Sequence, residues 1–267
     1  MTQIAGLVHA RGMSFGEAVA LGLVAGASRV AALGVNTASA ALASFWPGNA
    51  AYPWIPSART LELVSSSAND AVAGTGAQKI LVQGLDLNYN AQQEFVTPNG
   101  TTAVALSLTY LRINGAIVTQ AGSLQTNAGS INIRDTGAGT VRATMPVDAD
   151  GMGTGFLSQT AYTVPAGNTL LVQSVLLGIN RSGAGSNNNV TARNWVFNPL
   201  TGALVRPLQI STSSNLPYRH ESGAGYPLFT VQEKRDLDLV ISTSSSALNV
   251  TGAYLGTLVS NTTVLVQ

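Results

Sequence analysis

The chain of 267 residues has no cysteine and only two histidines, His9 and His220. The absence of cysteine excludes disulfide bonds, cysteine-ligated zinc and thiol catalysis. Two histidines this far apart do not make a histidine-rich metal cluster. We therefore expect a protein with no metal ion and no other cofactor.

Charged residues are also scarce. Thirteen Lys and Arg and 12 Asp and Glu make up 9% of the chain, against roughly 25% in an ordinary soluble domain. The net charge of +1 gives no electrostatic footprint for nucleic acid. Hydrophobic residues make up 45% of the chain, an ordinary share that is sufficient for a core. Neutral polar residues, rather than additional apolar ones, therefore take the place of the missing charged residues. Such a surface favours a protein that packs against copies of itself or against other subunits.

A long uncharged apolar run is missing as well. The most apolar stretch, residues 13–35, is interrupted by Glu17, Arg29 and four glycines, whereas a membrane span needs about 20 largely uncharged residues. Arg11 before it and Ala38-Ser39-Ala40 after it mimic a signal peptide, but the same interruptions argue against one. We expect neither a signal peptide nor a transmembrane helix.

Residues 1–44, rich in Ala, Gly, Val and Leu, are predicted to form an N-terminal anchoring arm with one short helix. Ser14 and Glu17 match a capping box, and glycines at 22 and 26 should end the helix quickly. A helix this short needs a surface to lie on, which is either the protein's own core or a neighbouring subunit. The candidate anchoring residues of the arm are Phe15, Val19, Leu21, Leu23 and Arg29.

From residue 59 onward the sequence pattern is β throughout. Short runs such as "AVALSLTYLRI" (103–113) and "DLDLVISTS" (236–244) recur about every ten residues between turn signals. Asn99-Gly100 and Asn114-Gly115 are predicted hairpin turns. The pattern predicts an all-β fold, an antiparallel β-sandwich or jelly-roll body made of one or two sandwiches. The stretch "MPVDADGMGTG" (145–155) weakly favours a boundary between a first β region (59–145) and a second (146–267).

Residues 45–58 form a separate segment, the strap, which concentrates proline and aromatic residues. Its prolines, Pro47, Pro53 and Pro56, restrict their own φ and bias their predecessors to extended conformations, so the strap is predicted to be stiff. Trp46, Tyr52 and Trp54 can bury large areas, either on the protein's own β body or against another subunit.

Catalytic motifs in the sequence lack the context that they need. Residues 12–16 match G-x-S-x-G, but the eleven residues before them cannot build the sheet required by a nucleophile elbow. The stretch "VDADG" (147–151) lacks the bidentate Glu of a calcium loop and is better interpreted as a turn. No spacing supports a carboxylate pair for hydrolysis. We therefore predict that the protein is not an enzyme.

One polar-aromatic set is a candidate contact with a ligand or subunit, although the favoured interpretation is an exposed loop with incidental charges. It comprises Trp195 and the loop residues Tyr218, Arg219, His220, Glu221 and Tyr226.

The segment "YPWIPSARTLELVSSSANDAVAGTGAQKILVQGLDLNYNAQQEFVTPNGTTAV" (52–104) resembles a segment shared by virion structural proteins of tailed bacteriophages. Residues 13–36 are similar to the N-terminal part of these proteins, so the resemblance covers about residues 12–110. The chain departs from the pattern at Val35, where relatives often have a basic residue, and at Pro98, where they often have leucine.

The resemblance implies a non-enzymatic component of a phage virion, assembled in the bacterial host cytoplasm and anchored to other virion proteins by its N-terminal arm. A tail-associated fibre, adaptor or tail-tip component is the first expectation, and a capsid decoration (cement or head-fibre) protein is the alternative. The protein is expected to be a homo-oligomer, by analogy a trimer. A carbohydrate-binding or receptor-binding module at the host surface is an alternative of another class.

Overall fold

The structure, a computed structural model, describes residues 15–36, 42–181, 190–212, 218–221, 226–243 and 248–262. Within these ranges the chain forms one short helix and seventeen strands. The helix α1 spans Phe15–Ala20. The strands are β1 Ala27–Asn36, β2 Ala43–Ser44, β3 Arg59–Ser65, β4 Ala77–Leu85, β5 Ala91–Val96, β6 Val104–Tyr110, β7 Arg112–Ala121, β8 Ile131–Asp135, β9 Val141–Met145, β10 Tyr162–Thr163, β11 Asn168–Arg181, β12 Val190–Phe197, β13 Leu204–Thr212, β14 Tyr218–Glu221, β15 Phe229–Val231, β16 Asp236–Thr243 and β17 Leu248–Ser260.

The strands form four antiparallel sheets in the described part of the chain. Sheet A has the order β1–β17–β11–β14, with β15 also paired to β11, and sheet B has the order β10–β16–β12–β13, with β2 paired to β16. Sheet C has the order β6–β3–β8–β9, and sheet D the order β5–β4–β7. The prediction of an all-β, antiparallel fold with a short N-terminal helix is confirmed.

Each pair of sheets shares one hydrophobic core. Sheets A and B bury a cluster that includes Leu170, Val175, Leu177, Val190, Ala192, Leu239, Ile241 and Tyr254. Sheets C and D bury a second cluster that includes Leu61, Leu63, Ile80, Val82, Tyr110, Ile113, Ile131 and Ile133. We call these two units the AB body and the CD body. Residues 59–145 build the CD body, and the strands after residue 161 build most of the AB body.

Two strands of the AB body come from the segment that was predicted to be an arm. β1 pairs with β17 over its whole length, from Ala27↔Val259 to Asn36↔Val250, and β2 pairs with β16. Residues 27–36 and 43–44 therefore belong to the sheets, because their backbone groups are satisfied there. Among the described residues of the predicted arm, only 15–26 precede the first strand.

The two predicted hairpin turns have different outcomes. Gly100 has a φ of +58° and lies in a turn in which Thr102 N donates to the Asn99 carbonyl. Asn114 instead lies inside β7. Its side-chain amide donates to the Thr163 carbonyl at 2.7 Å and accepts from the Thr163 N–H at 3.0 Å. Asn114 therefore links the two bodies rather than reversing the chain.

The stretch 145–155 closes a tight turn between the bodies. Asp148 N donates to the Met152 carbonyl at 2.7 Å, and Gly151 N donates to the Asp148 carbonyl at 2.9 Å. Gly151 has a φ of +85°, which glycine adopts without strain. The interpretation of "VDADG" as a turn agrees with this geometry.

Candidate interaction surfaces

The segment that carries the family resemblance folds around one buried carboxylate, that of Asp70. Asp70 is fully buried. Its Oδ1 accepts from Ala77 N at 2.7 Å and Ala128 N at 2.8 Å, and its Oδ2 accepts from Gly129 N at 2.9 Å and Ser65 Oγ at 2.5 Å. Four donors around one carboxylate fix three chain segments relative to each other. We call this arrangement the Asp70 knot.

Glycine is required at the edge of the Asp70 knot. A Cβ on Gly76 would lie 2.2 Å from Asp70 Oδ1 and 2.7 Å from the backbone nitrogen of Ala128. No side chain fits at that distance. The residues of "VSSSANDAVAGTGA" therefore have a structural role, because they surround the buried carboxylate that holds this loop in place.

The later part of the resemblance, "GLDLNYN", is a turn held by Asp86. Its Oδ1 accepts from Asn88 N at 2.7 Å and Asn90 N at 2.8 Å. The turn contains Tyr89, which is buried and has a φ of +67°. The backbone carbonyl of Tyr89 accepts a hydrogen bond from Ala166 N of the AB body at 2.8 Å. This turn therefore also joins the two bodies.

The aromatic side chains of the strap lie against the protein's own surface. Trp46 and Tyr52 are each 8% exposed, and their rings meet edge to face at 5.7 Å. Tyr52 and Trp54 meet in the same way at 4.8 Å, and the Arg112 guanidinium lies 5.2 Å from the Trp54 ring. Because the chain itself covers Trp46 and Tyr52, these two rings do not present a contact surface to another subunit.

A buried ion pair beneath the strap joins the two bodies. Arg112 on β7 of the CD body donates from Nε and Nη2 to the two carboxylate oxygens of Asp236 on β16 of the AB body, at 2.9 and 2.8 Å. Their side chains are 6% and 1% exposed. Arg112 Nη1 also donates to the carbonyl of Ile55 in the strap at 2.7 Å. One guanidinium therefore ties together the strap and both bodies.

Asp238, two residues further along β16, is a second buried carboxylate at this junction. Its Oδ2 accepts from Ser44 Oγ at 2.5 Å and its Oδ1 from Thr160 Oγ1 at 3.2 Å. Burial, together with the charge of Asp236, raises the pKa of Asp238 to about 7. The hydrogen bonds from Ser44 and Thr160 lower this pKa, but they offset only part of the increase. Asp238 thus holds Ser44 of β2, the residue just before the strap, against β16.

We expect Asp238 to make the stability of the fold depend on pH. The pKa of Asp238 in the folded state, about 7, lies above the ordinary value of 3.8. At a pH between these two values, Asp238 is therefore protonated in the folded state and ionised in the unfolded chain. The resulting stabilisation is complete below about pH 4 and is lost as the pH rises through about 7. Urea unfolding midpoints should therefore fall between pH 5 and pH 8 in the native chain.

The matched variant for this prediction is Asp238→Asn, which keeps the shape and cannot titrate. The fall in midpoint between pH 5 and pH 8 should be much smaller in Asp238→Asn than in the native chain. His9 and His220 are present in both proteins, so any contribution from them cancels in the comparison. An equal fall in both proteins would contradict the role of Asp238.

The helix α1 ends at Ala20, as the glycine at position 22 predicts, and Gly22 has a φ of +70°. Ser14, which is both the predicted capping residue and the serine of G-x-S-x-G, lies outside the described residues. The same holds for Gly12 and His9. Ala18, Val19 and Val24 are buried in a small cluster of their own, and the partly buried Phe15 and Ala27 pack against it. Arg29 donates from Nη1 to the Gly16 carbonyl at 3.4 Å, so α1 lies against the start of β1.

Two of the predicted apolar anchoring residues are exposed, as is Arg29. Leu21 is 64% exposed and Leu23 is 51% exposed, whereas Val19 is buried and Phe15 half-buried. Leu23 lies beyond the end of the helix at Ala20. The exposed pair Leu21 and Leu23 is therefore the candidate anchoring surface of this region.

The predicted loop set divides over two sheets. Trp195 is half-buried on β12 of sheet B, with the Arg206 guanidinium 5.5 Å from its ring. Tyr218, Arg219, His220 and Glu221 form β14 on the edge of sheet A rather than a loop, because β11 offers them a free edge. Their rings and charges interact locally: Tyr218 stacks on His220 at 6.4 Å, and Arg219 forms an ion pair with Glu221. Tyr226 is 75% exposed.

A groove of about 880 Å³ runs between the two bodies. β1 of the AB body lines one side, and β4, β5 and β7 of the CD body line the other. Exposed apolar side chains stand along it, with Leu33 at 38%, Ile117 at 47% and Phe156 at 39% exposure. Sequence reasoning missed this groove, since it depends on how the two bodies meet.

The partly exposed carboxylate of Asp135 is held by two arginines. Asp135 accepts from Arg59 at 2.9 Å and from Arg142 at 2.6 and 2.9 Å, and the hydrogen bonds from Arg142 hold the pKa of Asp135 below its usual value.

Within the described ranges, no three metal-ligating side chains come together, and no helix has the length and apolarity to cross a membrane.

Comparisons with known proteins complete these observations. No family model matches the chain, and no curated protein matches it. The structure of the STIV MCP matches with 12% identity and a TM-score of 0.24 over 86% of each chain. The infectious bursal disease virus VP2 subviral particle matches with 10% identity and a TM-score of 0.20, over 89% of this chain and 71% of that one. The infectious bursal virus derived T=1 particle matches with 10% identity and a TM-score of 0.21, over 88% and 68%. TM-scores this low do not establish a shared fold.

Proposed function

We propose that this chain is a non-enzymatic structural subunit of a tailed-bacteriophage virion, in which each body is a β-sandwich. The observation that carries the proposal is the Asp70 knot. The residues that resemble phage virion proteins are used to fix loops, and the carboxylate among them accepts four hydrogen bonds within the fold. The resemblance therefore concerns a structural framework, which suits a protein whose task is assembly.

The connections between the two bodies support a structural role. The Arg112–Asp236 pair, the Asn114 link and the Tyr89 turn connect the bodies at three places. Redundant polar connections of this kind hold two domains in one orientation, whereas domains in one chain otherwise move relative to each other by default. A fixed orientation is what a subunit needs when it repeats in a symmetric particle.

Within the virion, we propose that the exposed pair Leu21 and Leu23 anchors the subunit, and that the subunit belongs to the tail as a fibre, adaptor or tail-tip component. A capsid decoration protein is the alternative. Copy number separates them, because a tail component is present in a dozen to a few dozen copies and a decoration protein in hundreds. Quantitative mass spectrometry of purified particles measures it. Absence of the chain from the particles would contradict the virion assignment altogether.

The anchoring role of Leu21 and Leu23 predicts a specific loss of incorporation. In phage that carry Leu21→Ser and Leu23→Ser, the purified particles should contain at least about tenfold less of the subunit, because the apolar contact area is removed. The control is Leu200→Ser, which changes an equally exposed leucine (70%) in a turn between β12 and β13. Normal incorporation of the double variant, or an equal loss with the control, would contradict anchoring by this pair.

A carbohydrate-binding function is favoured by one observation, the exposed aromatic side chains near β14. Tyr226 is 75% exposed, and Tyr218 and His220 present stacked rings, which suit stacking on sugars. Binding of the purified chain on a glycan array, abolished by Tyr226→Ala, would support this function. Silence on the array combined with normal incorporation into particles would contradict it.

A further inference from the structure

We infer that the groove between the two bodies binds an extended, uncharged segment of a partner protein, which adds a strand to the free edge of β1. The groove has a volume of about 880 Å³, within the range of about 300–1,000 Å³ that is usual for ligand sites. Its AB wall includes every residue from Ser28 to Leu33. Neighbouring residues of a strand point to opposite faces. A wall of six consecutive residues therefore presents the edge of β1, with its backbone N–H and C=O groups, to the groove.

The edge of β1 that faces the groove is largely unpaired in the described part of the chain. Along its other edge, β1 pairs with β17 over all ten of its residues, without a register shift. On the groove side, the described residues add only an isolated bridge between Leu33 and Gln159. Residues 28–32 therefore have no strand beside them on that side, and such an edge is a template for pairing with another chain.

Two other edge strands of the AB body are protected, whereas β1 is not. β13 at the edge of sheet B carries Arg206 and Pro207, and β14 at the edge of sheet A carries Arg219 and Glu221. Charged side chains and proline on an edge strand hinder pairing with other chains. β1 has no proline, no lysine and no bulge, and its single charged side chain, Arg29, is bonded to α1.

The opposite wall of the groove belongs to the outer face of sheet D and offers further hydrogen-bonding groups. Gln83 of β4 lies opposite Gln93 of β5 and Gly115 of β7, and all three residues line the groove. Gln83 Nε2 donates to Gln93 Oε1 at 3.4 Å. The pair therefore leaves one amide carbonyl and one NH₂ group without a partner in the described part of the chain. The backbone of a peptide offers both a donor and an acceptor to match them.

The charge and polarity of the walls indicate which ligand fits. Arg29 is the one charged residue among the described residues that line the groove. A charged ligand group would therefore lose its hydration here without gaining a counter-charge. Leu33, Ile117 and Phe156 add exposed apolar side chains to the walls. An extended, uncharged peptide meets both conditions, because its backbone repeats donors and acceptors at the interval of the β1 edge and its side chains can be apolar. Six residues of β1 at about 3.3 Å each span about 20 Å, so the contact takes about six residues of the ligand.

The test uses a yeast-displayed library of random short peptides, selected on the purified full chain. We expect the selected peptides to be free of charged residues over about six consecutive positions. Synthetic copies of them, measured by fluorescence anisotropy, should bind Gly115→Phe at least about tenfold more weakly than the native chain, because the phenylalanine occupies the space of the ligand. A Cβ on Gly115 meets only the flexible side chain of Gln83, at 3.2 and 3.8 Å, so the fold accommodates the substitution.

The control is Gly178→Phe. Gly178 is likewise a half-buried glycine inside a strand, β11, and a Cβ there meets only Thr251, at 3.6 Å. It does not line the groove, so Gly178→Phe should bind the peptides like the native chain.

A second pair of variants keeps the test valid if circular dichroism shows that Gly115→Phe does not fold. Gln83→Ala removes an amide group from the groove wall and should weaken binding at least about threefold. Its control is Gln120→Ala, since Gln120 bonds to Gln78 at 3.2 Å in the other glutamine pair of sheet D, outside the groove. Gln120→Ala should leave binding unchanged.

Two measurements separate strand addition from another mode of peptide binding. Binding should slow the hydrogen exchange of backbone amides in residues 28–33, because their outward N–H groups become hydrogen-bonded. Methylation of the backbone nitrogens on alternate peptide residues should weaken binding at least about tenfold for one alternate set and less for the other, because a strand bonds each neighbour through alternate residues.

Four results would overturn the inference. They are a selection that enriches no peptide, equal losses in Gly115→Phe and Gly178→Phe, unchanged hydrogen exchange in residues 28–33, and equal effects of the two methylation sets. Binding of a neutral glycan, or self-association of the chain, that is lost in Gly115→Phe would assign the groove to another occupant and contradict the inference as well. The inference does not rest on the virion assignment, because peptide binding by the purified chain is measured without particles.

Discussion

Asp236→Asn should lower the free energy of unfolding by about 3–5 kcal/mol, the usual cost of leaving one partner of a buried ion pair uncompensated. Asn keeps the shape of the side chain but replaces an acceptor oxygen with an NH₂ group that faces the donors of Arg112. Asp236 Oδ1 also accepts from Thr163 Oγ1, so this substitution disturbs three hydrogen bonds at a site that is 1% exposed. Urea unfolding of the full chain at constant pH measures the effect.

The exposed pair Arg219–Glu221 is the internal control for this prediction. Its side chains are 56% and 50% exposed, so Glu221→Gln should change the unfolding free energy by less than about 0.5 kcal/mol. A second variant separates a lost ion pair from a damaged fold. Replacing both partners, with Arg112→Met and Asp236→Leu, should recover at least half of the loss, because no charge then stays buried. Equal losses at the buried and exposed pairs would show that the junction does not depend on Arg112–Asp236.

The sequence was sufficient to predict the β-rich character of the fold, because alternation and turn residues are local signals. β12 illustrates this, with Val190, Ala192, Asn194 and Val196 alternately buried. Local chemistry also indicated that the aromatic side chains of the strap need a partner surface, but it left open whether that surface belongs to the protein's own β body or to another subunit.

β1 was missed because its sequence carries no such signal. "ASRVAALGVN" is rich in alanine and glycine, and its alternation is weak on both faces. The strand forms because β17, more than 200 residues later, offers it a continuous edge. Asn114-Gly115 was interpreted as a turn for a related reason. The partner that keeps Asn114 in a strand is Thr163, 49 residues away, and a pairing over that distance leaves no trace in the local pattern.

The candidate surfaces were predictable to different degrees. Leu21 and Leu23 were named from the sequence and are exposed, whereas the groove between the two bodies is lined by strands from distant parts of the chain. The resemblance located the Asp70 segment without explaining it, because two of the donors to Asp70 come from residues 58 and 59 positions further along.

Asp70→Asn should lower the free energy of unfolding by about 2–4 kcal/mol, although it is nearly isosteric. All four contacts of the carboxylate are donors, namely Ala77 N, Ala128 N, Gly129 N and Ser65 Oγ. An amide group in place of one oxygen turns its NH₂ toward these donors and leaves at least one of them unsatisfied in a fully buried site, which costs about 1–3 kcal/mol for each such group. Asp70→Ala should cost more, because it removes both acceptors.

Asp150→Asn is the matched control for the Asp70 knot. Asp150 also accepts a backbone N–H group, from Met152 at 3.0 Å, but this hydrogen bond lies at the exposed surface of a turn, where water replaces a lost partner. The same substitution there should cost less than about 1 kcal/mol. Urea unfolding of both variants, followed by tryptophan fluorescence, measures the difference. If the two substitutions cost the same, the Asp70 knot contributes no more than an ordinary turn, and the structural explanation of the "VSSSANDAVAGTGA" segment fails.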